Sequence, residues 1–293
     1  MVEFGVAFGS MQQEEKLAAN RGYDDSGQTS RGDGRRILET RGGMEEELAP
    51  HKREEVSCHK SGDRDGLQRS YGRQARILQT HGRLEEALDL LQKQAALCLE
   101  TGNLDDLQKS YYQQAEIQGC RGCQPEALAL FKKQEGVCLT LGNKNDLQAS
   151  YGKQALILVG WARLQEAMVL CRQQEAICLE LGNRDGLQDN YGSQALILKA
   201  SGRLDEALPL LEKREAVCRE LGNKRGLASC YWSWGRLKRA QSDFAGEKRK
   251  LRQALVLFTE LQMNRERDAI LAELKVNHAH RWNLRKKLQK WIQ

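Results

Sequence analysis

Residues 147–158 read LQASYGKQALIL, and forty positions on residues 187–198 read LQDNYGSQALIL. The frame extends in both directions. Leu67, Leu107, Leu147, Leu187 and Leu227 recur at the same interval, as do Tyr71, Tyr111, Tyr151, Tyr191 and Tyr231, and Gly62, Gly102, Gly142, Gly182 and Gly222. Gln74-Ala75 returns as Gln114-Ala115, Gln154-Ala155 and Gln194-Ala195. Five copies without slippage mark a repeat protein, in which stacked units share one continuous core.

Each unit reads as two helices. In the first, about Leu67 to Thr80, Leu67, Tyr71, Ala75 and Leu78 fall on one helical stripe. Gly82 breaks the chain where a tight turn needs positive φ. A longer second helix, about Arg83 to Glu100, buries Leu84, Ala87, Leu88, Leu91, Ala95 and Cys98 and spans roughly 27 Å. Gly102 ends it as a left-handed cap, and the polar run Asn103 to Asp105 starts the next helix. Pro50 and Pro209 fall inside second helices and are expected to kink them, whereas Pro125 falls harmlessly in a first turn.

Composition agrees. The 293 residues are 40% hydrophobic and 29% charged with only 3 Pro, rich in helix formers, which excludes an all-β fold and a disordered chain. No apolar run approaches the roughly 20 residues of a membrane helix, and Met1 to Ser10 lack the basic and apolar regions of a signal peptide. The net charge is +6, but Gln241 to Gln293 hold twelve basic and six acidic residues, so the first 240 are balanced. An excess this small does not by itself indicate nucleic-acid binding.

These residues resemble the tetratricopeptide repeat (TPR). Tyr71, Ala75, Leu78, Gly82, Leu84, Ala87 and Leu91 follow that frame in order, and the run Tyr151-Gly152-Lys153-Gln154-Ala155 with Leu164-Gln165-Glu166-Ala167 repeats it. The forty-residue length is similar to the repeats of kinesin light chains and of the C-terminal arrays of signal-transducing ATPases. The kinesin light chain Asn pair is replaced by Gly72-Arg73 and Gly152-Lys153. The resemblance covers roughly Asp63 to Leu274. It implies an all-α, right-handed superhelical solenoid of antiparallel helix pairs, built as a protein-interaction scaffold.

The expected organisation is a poorly ordered N-terminus over 1–23, with a short helical possibility at Met11 to Ala19. A decayed first repeat follows over 24–62, with a frayed first helix and a turn at Gly42-Gly43. Five tandem repeats fill 63–262, and capping helices with a basic tail fill 263–293. From His280 to Ile292, Leu284, Leu288, Trp291 and Ile292 share a stripe flanked by Arg285, Lys286, Lys287 and Lys290. That stripe reads as a cap closing the stack, or as a basic amphipathic ligand for calmodulin or an acidic surface.

The resemblance implies a concave groove lined by the first helices. Its positions are Arg69, Gly72 and Arg76; Lys109, Tyr112 and Glu116; Gly152 and Leu156; Asp189, Gly192 and Leu196; Trp232, Arg236 and Arg239. They lie off the core stripe. The glycines leave room for a peptide backbone. Leu156 and Leu196 either meet a ligand or pack on a neighbouring helix, and Trp232 with Arg236 reads as an anchor pair. A protein partner, peptide or helix, is therefore expected, with no small-molecule substrate, no cofactor and no metal.

No chemistry competes with that reading. Gly5 to Ser10 lack the Gly-Lys-Ser/Thr of a phosphate loop. Cys58, Cys98, Cys138, Cys178 and Cys218 share one repeat position and read as small buried hydrophobes. Cys120-Arg-Gly-Cys123 has redox-like or metal-like spacing but stands alone and reads as turn variation. His278 and His280 have no companion ligand and read as surface. Nine cysteines without a disulfide pattern suit a reducing, cytoplasmic compartment. Catalysis is not expected. Two other readings remain open: nucleic-acid or anionic-surface binding through the basic tail, and a regulatory fragment of a larger signalling ATPase.

Overall fold

The structure, a computed structural model, describes residues 33–275, with side chains from 43 onward. The expected disorder of 1–23, the start of the decayed repeat and the tail stripe from His280 to Ile292 lie outside these residues. The described residues are helical throughout, with turns between: α1 Asp33–Ser61, α2 Arg64–Thr80, α3 Leu84–Thr101, α4 Leu104–Cys120, α5 Gln124–Leu141, α6 Lys144–Gly160, α7 Leu164–Leu181, α8 Arg184–Ala200, α9 Leu204–Glu220, α10 Lys224–Ala240, α11 Phe244–Glu260 and α12 over 264–275. They form two compact units that divide between Trp161 and Ala162. In the first, α2 pairs with α3 and α4 with α5, between α1 and α6. In the second, α8 pairs with α9 and α10 with α11, between α7 and α12. The all-α stack of antiparallel helix pairs expected from the repeat is the architecture found.

The helix boundaries have local causes. At each first helix an Asp or Asn side chain accepts the backbone N–H three residues on: Asp63, Asn103 and Asn143 in the first unit, Asn183 and Asn223 in the second. These caps start the first helices three residues earlier than the apolar stripe suggests. First and second helices are therefore nearly equal, 17 residues in α2 against 18 in α3. Three second helices, α3, α7 and α9, use an ion-pair clip instead: Arg83 to Glu86, Arg163 to Glu166 at 2.7 Å and Arg203 to Glu206 at 2.6 Å; α11 is capped by Asp243, which accepts from the Gly246 N–H. The turn expected at Gly42-Gly43 does not form, because α1 runs unbroken through both glycines. No clip or capping side chain marks a new helix start there, and a helix tolerates glycine at a cost of about 1 kcal/mol each. Pro50 and Pro209 do lie inside α1 and α9, and Pro125 sits in the first turn of α5.

The apolar stripes are buried as expected. Leu67, Tyr71, Ala75 and Leu78 of α2 are all below 8% exposed, and Ala87, Leu91 and Cys98 of α3 are at 0%. Met44 and Leu48 of α1 close this core from one side and Ile117 of α4 from the other. In the second unit Ala228, Tyr231, Leu251, Ala254, Phe258 and Ile270 form the corresponding cluster.

The apolar pattern did not reveal a buried polar line beside these stripes. Ser70 donates to the His51 carbonyl at 2.7 Å, Ser110 to Leu91 at 2.8 Å and Ser150 to Phe131 at 3.0 Å, always 19 residues back. In the second unit Asn190 donates to the Cys171 carbonyl at 2.7 Å. A glutamine one turn further extends the line. Gln114 bonds the Leu91 carbonyl, while Gln74, Gln154 and Gln194 bond Glu55, Glu135 and Glu175. The carbonyl oxygen has a second lone pair, so it takes this bond without giving up its helix bond.

Two stability tests follow. Ala162, Ser242 and Gln262 hold positive φ (57, 60 and 56°) at turn positions where glycine stands elsewhere, such as Gly142 at 66°. Gln262→Gly should raise stability by about 1 kcal/mol in urea unfolding, and Gly142→Ala should lower it by a similar amount. Ser110→Ala should cost about 1 kcal/mol, because it removes the donor to the Leu91 carbonyl and an acceptor of Gln114.

Candidate partner-binding faces

The groove positions lie on the first helices, and each unit presents its own set. In the first unit Arg69 and Arg76 stand exposed on α2, with neither hydrogen bond nor ion pair among the described residues. Between them is Gly72. A Cβ there would lie 2.7 Å from Gln94 Nε2, so the glycine's space is already filled by an α3 side chain and not left for a peptide backbone. The Gln94 Oε1 atom is buried without a partner.

On α4, Lys109 is exposed and 3.2 Å from Asp106. Tyr112 is half-buried, its ring edge-on to Phe131 at 5.7 Å. Glu116 pairs at 2.9 Å with Lys153 of α6, whose ammonium also lies 6.0 Å from the Tyr112 ring centre. Burial works against the Lys153 charge, but Tyr112 and Glu116 outweigh it and hold the ammonium above its ordinary range. Burial raises the Tyr112 phenol. Leu156 of α6 remains 49% exposed.

In the second unit Asp189 is exposed and Leu196 half-buried on α8. Gly192 is again filled from behind, here by Arg214 of α9, whose Cζ would lie 2.9 Å from an added Cβ. On α10 the Arg236 guanidinium lies over the Trp232 ring at 4.6 Å, as the pairing suggested. The pair is engaged within the chain. Trp232 Nε1 donates to Glu273 Oε1 of α12 at 3.1 Å, and Arg236 reaches the same oxygen at 2.6 Å. Phe258 meets the Trp232 ring edge-on at 5.9 Å. Arg239 is exposed, 3.9 Å from the buried Glu247. Trp232 and Arg236 are therefore not the open anchor expected from their spacing, since the next first helix takes them up.

The two ion pairs have one geometry. Glu116–Lys153 and Arg236–Glu273 each span 37 residues, from one first helix to the next, with the signs reversed. In both, an aromatic side chain four residues before the first partner, Tyr112 or Trp232, covers the pair. Sequence reasoning missed Lys153 and Glu273 because they sit one position beyond the expected groove set. The legible signal was opposite charge at a spacing three short of the repeat.

The repeat-position cysteines are buried, as expected. They also donate: Cys98 to Gln68 Oε1 at 3.5 Å, Cys138 to Gln108 and Cys218 to Gln188 at 3.0 Å. Burial pushes the Cys98 thiol up to about 12 and Cys138 and Cys178 to about 11, which keeps them protonated. Cys120 is exposed and Cys123 half-buried, at the end of α4 and the start of α5. Among the described residues no group of three or more His, Cys, Asp or Glu side chains could hold a metal ion. No described helix is long and apolar enough to cross a membrane. His278 and His280 lie outside the described residues.

No family model and no curated protein matches the chain by sequence. Its fold does match solved structures. BtubC (BKLC) from P. vanneervenii superposes with a TM-score of 0.64 at 14% identity, over 75% of this chain and 92% of that one. A putative kinesin light chain with nearly identical TPR-like repeats, from Podosopora anserina, gives 0.56 at 22% over 67% and 96%. A signal transduction ATPase with a tetratricopeptide repeat sensor, from Pyrococcus horikoshii, gives 0.65 at 12% over 80% of this chain and 38% of that one. The fold is that of the TPR solenoids.

Swapping one staple tests the geometry. Glu116→Lys alone should lower the melting temperature by several degrees, because it sets two cations beside Tyr112, and adding Lys153→Glu should restore most of the loss.

Proposed function

We propose that the chain is a protein-interaction scaffold that takes a partner peptide or helix along its first-helix faces, without chemistry of its own. The observation that carries this reading is the exposed, unpaired set on the first unit. Arg69 and Arg76 are open to solvent, and Leu156 keeps half of its apolar surface in water beside a buried core. Tyr112, Trp232 and Arg236 serve to hold successive first helices together, so the binding role falls to the face residues outside the staples: Arg69, Arg76, Lys109, Leu156, Asp189 and Leu196. The shared TPR fold supports this use of the face. Nine unbridged thiols support a reducing, cytoplasmic setting.

The test is affinity capture from lysate, with mass spectrometry and a nuclease-treated control. The native chain is compared with an Arg69→Ala/Arg76→Ala/Leu156→Ala variant and with a truncation after residue 278. Loss of particular proteins with the triple variant, at an unchanged melting temperature, supports the scaffold. Binding that survives the variant but disappears on truncation or nuclease treatment moves the function to the basic tail.

A further inference from the structure

Cys120 and Cys123 stand apart from the other seven cysteines. Those seven are buried, whereas Cys120 is exposed and Cys123 half-buried. The two flank the turn that joins α4 to α5: Cys120 is the last residue of α4, and Cys123 is the N-cap of α5. Between them Gly122 holds a φ of 81°, and the Cys123 N–H donates to the Gln118 carbonyl at 2.9 Å, which closes the turn.

Cys123 also departs from the repeat. Arg83, Arg163 and Arg203 hold its place in other units, where they clip Glu86, Glu166 and Glu206. Glu126 keeps the acidic half of that clip in α5, but its arginine has become a thiol. The Cys123 side chain makes no capping bond either, so it does not start the helix as the arginines do.

The surroundings favour negative charge on the two sulfurs. Cys123 lies at the N-terminus of an 18-residue helix, whose dipole stabilises a thiolate. Burial and the Glu116 carboxylate raise the Cys120 thiol, and the Lys153 ammonium opposes them. Arg121, between the two, pairs with Glu85 at 2.7 Å. Among the described residues no group of three or more His, Cys, Asp or Glu side chains comes together, so the four ligands of a structural zinc ion are not on offer. A soft monovalent ion is satisfied by two thiolates.

We propose that Cys120 and Cys123 bind one copper(I) ion between their sulfurs. Each thiol releases its proton to solvent and donates a sulfur lone pair to the ion. Copper stays monovalent, so nothing is oxidised or reduced. The bound unit carries one net negative charge, offset by the N-terminus of α5 and by Lys153. This site is independent of the scaffold reading, and a reducing setting keeps both the thiols and the ion in the state the site requires.

The experiment titrates copper(I) into the full, reduced chain without oxygen, against a coloured copper(I) chelator as competitor. Cys120→Ser, Cys123→Ser, the double variant and Cys123→Arg are compared. Cys123→Arg restores the clip to Glu126, so it should melt no lower than the native chain and its loss of binding cannot come from unfolding. The expected result is one ion per chain withdrawn from the chelator, held at least about tenfold more weakly by each variant and not displaced by an equal concentration of zinc(II). Failure to compete with the chelator would overturn the proposal. So would equal affinity in Cys123→Arg, an ion retained by the double variant on the buried thiols, or displacement by zinc.

Discussion

Within the first unit the stack depends on one contact: the hydroxyl of Ser70, Ser110 or Ser150 bonded to a helix carbonyl 19 residues earlier. Alanine-lined helices such as α2 and α3 approach closely, and close approach alone leaves their sliding poorly fixed. A buried hydroxyl must find a partner or bear its full desolvation cost. One carbonyl meets it in one register only, so the bond fixes how far each first helix slides along the second helix before it. The same side chain is also bonded by the glutamine one turn on, at 3.2 Å for Gln74 to Ser70 and Gln114 to Ser110. The register is therefore held by a small network. Asn190 shows that the constraint concerns the bond and not the residue type, since its amide reaches the Cys171 carbonyl and also Gln174 and Gln194.

Where that network is lost, other forces replace it. In α10, Cys230 stands in the hydroxyl position and its thiol lies 3.4 Å from the Leu211 carbonyl, a weak bond. Trp234 replaces the glutamine, and Lys250 of α11 lies 3.5 Å from the Trp234 ring centre and 4.7 Å from that of Tyr231. Glu215 of α9 completes the arrangement, 3.5 Å from Lys250 and bonded by the Tyr231 hydroxyl at 2.9 Å. Burial leads in raising the Tyr231 phenol to about 12, and the bond to Glu215 adds to the rise. Gly235 replaces the repeat alanine because a Cβ there would strike Leu251 at 2.8 Å. An amide-and-hydroxyl latch has become a cation held among aromatic rings, and the hairpin still closes.

The fold was legible because it rests on features a period displays: tyrosine, alanine and leucine at fixed spacing, glycine at the turns, and Asn or Asp before each first helix. Positive φ at Gly82, Gly102 and Gly142 confirms the turns. The buried polar line was present in the same repeat, as Ser70, Gln74 and their copies. An apolar stripe carries no information about polar side chains facing the same core, so it went unread. Gly42-Gly43 misled for a related reason: glycine permits a turn but does not impose one without a helix-start signal such as the Arg83–Glu86 ion pair that follows Gly82. The candidate faces were half legible. Every residue named lies on a first helix, and Arg69, Arg76, Lys109, Asp189 and Arg239 are exposed, but the engagement of Glu116 and of Trp232 with Arg236 was not legible, because Lys153 and Glu273 come from a neighbouring helix and spacing within one helix cannot show them.

The residue at a single face position decides how that part of the first helix is covered. Where it is aromatic, as at Tyr112 and Trp232, the side chain lies across an ion pair to the next first helix and the face is spent on stacking. Where it is glycine, as at Gly72 in the first unit and Gly192 in the second, no side chain covers the helix and a residue of the following second helix fills the space. Gln94 brings a buried acceptor to one such position, and Arg214 a cation to the other. Among the described residues each leaves a buried polar atom without a partner, as Gln134, Trp234 and Glu273 also do. The face is thus used for stacking where it carries an aromatic side chain and is filled from the second helix where it carries Gly72 or Gly192.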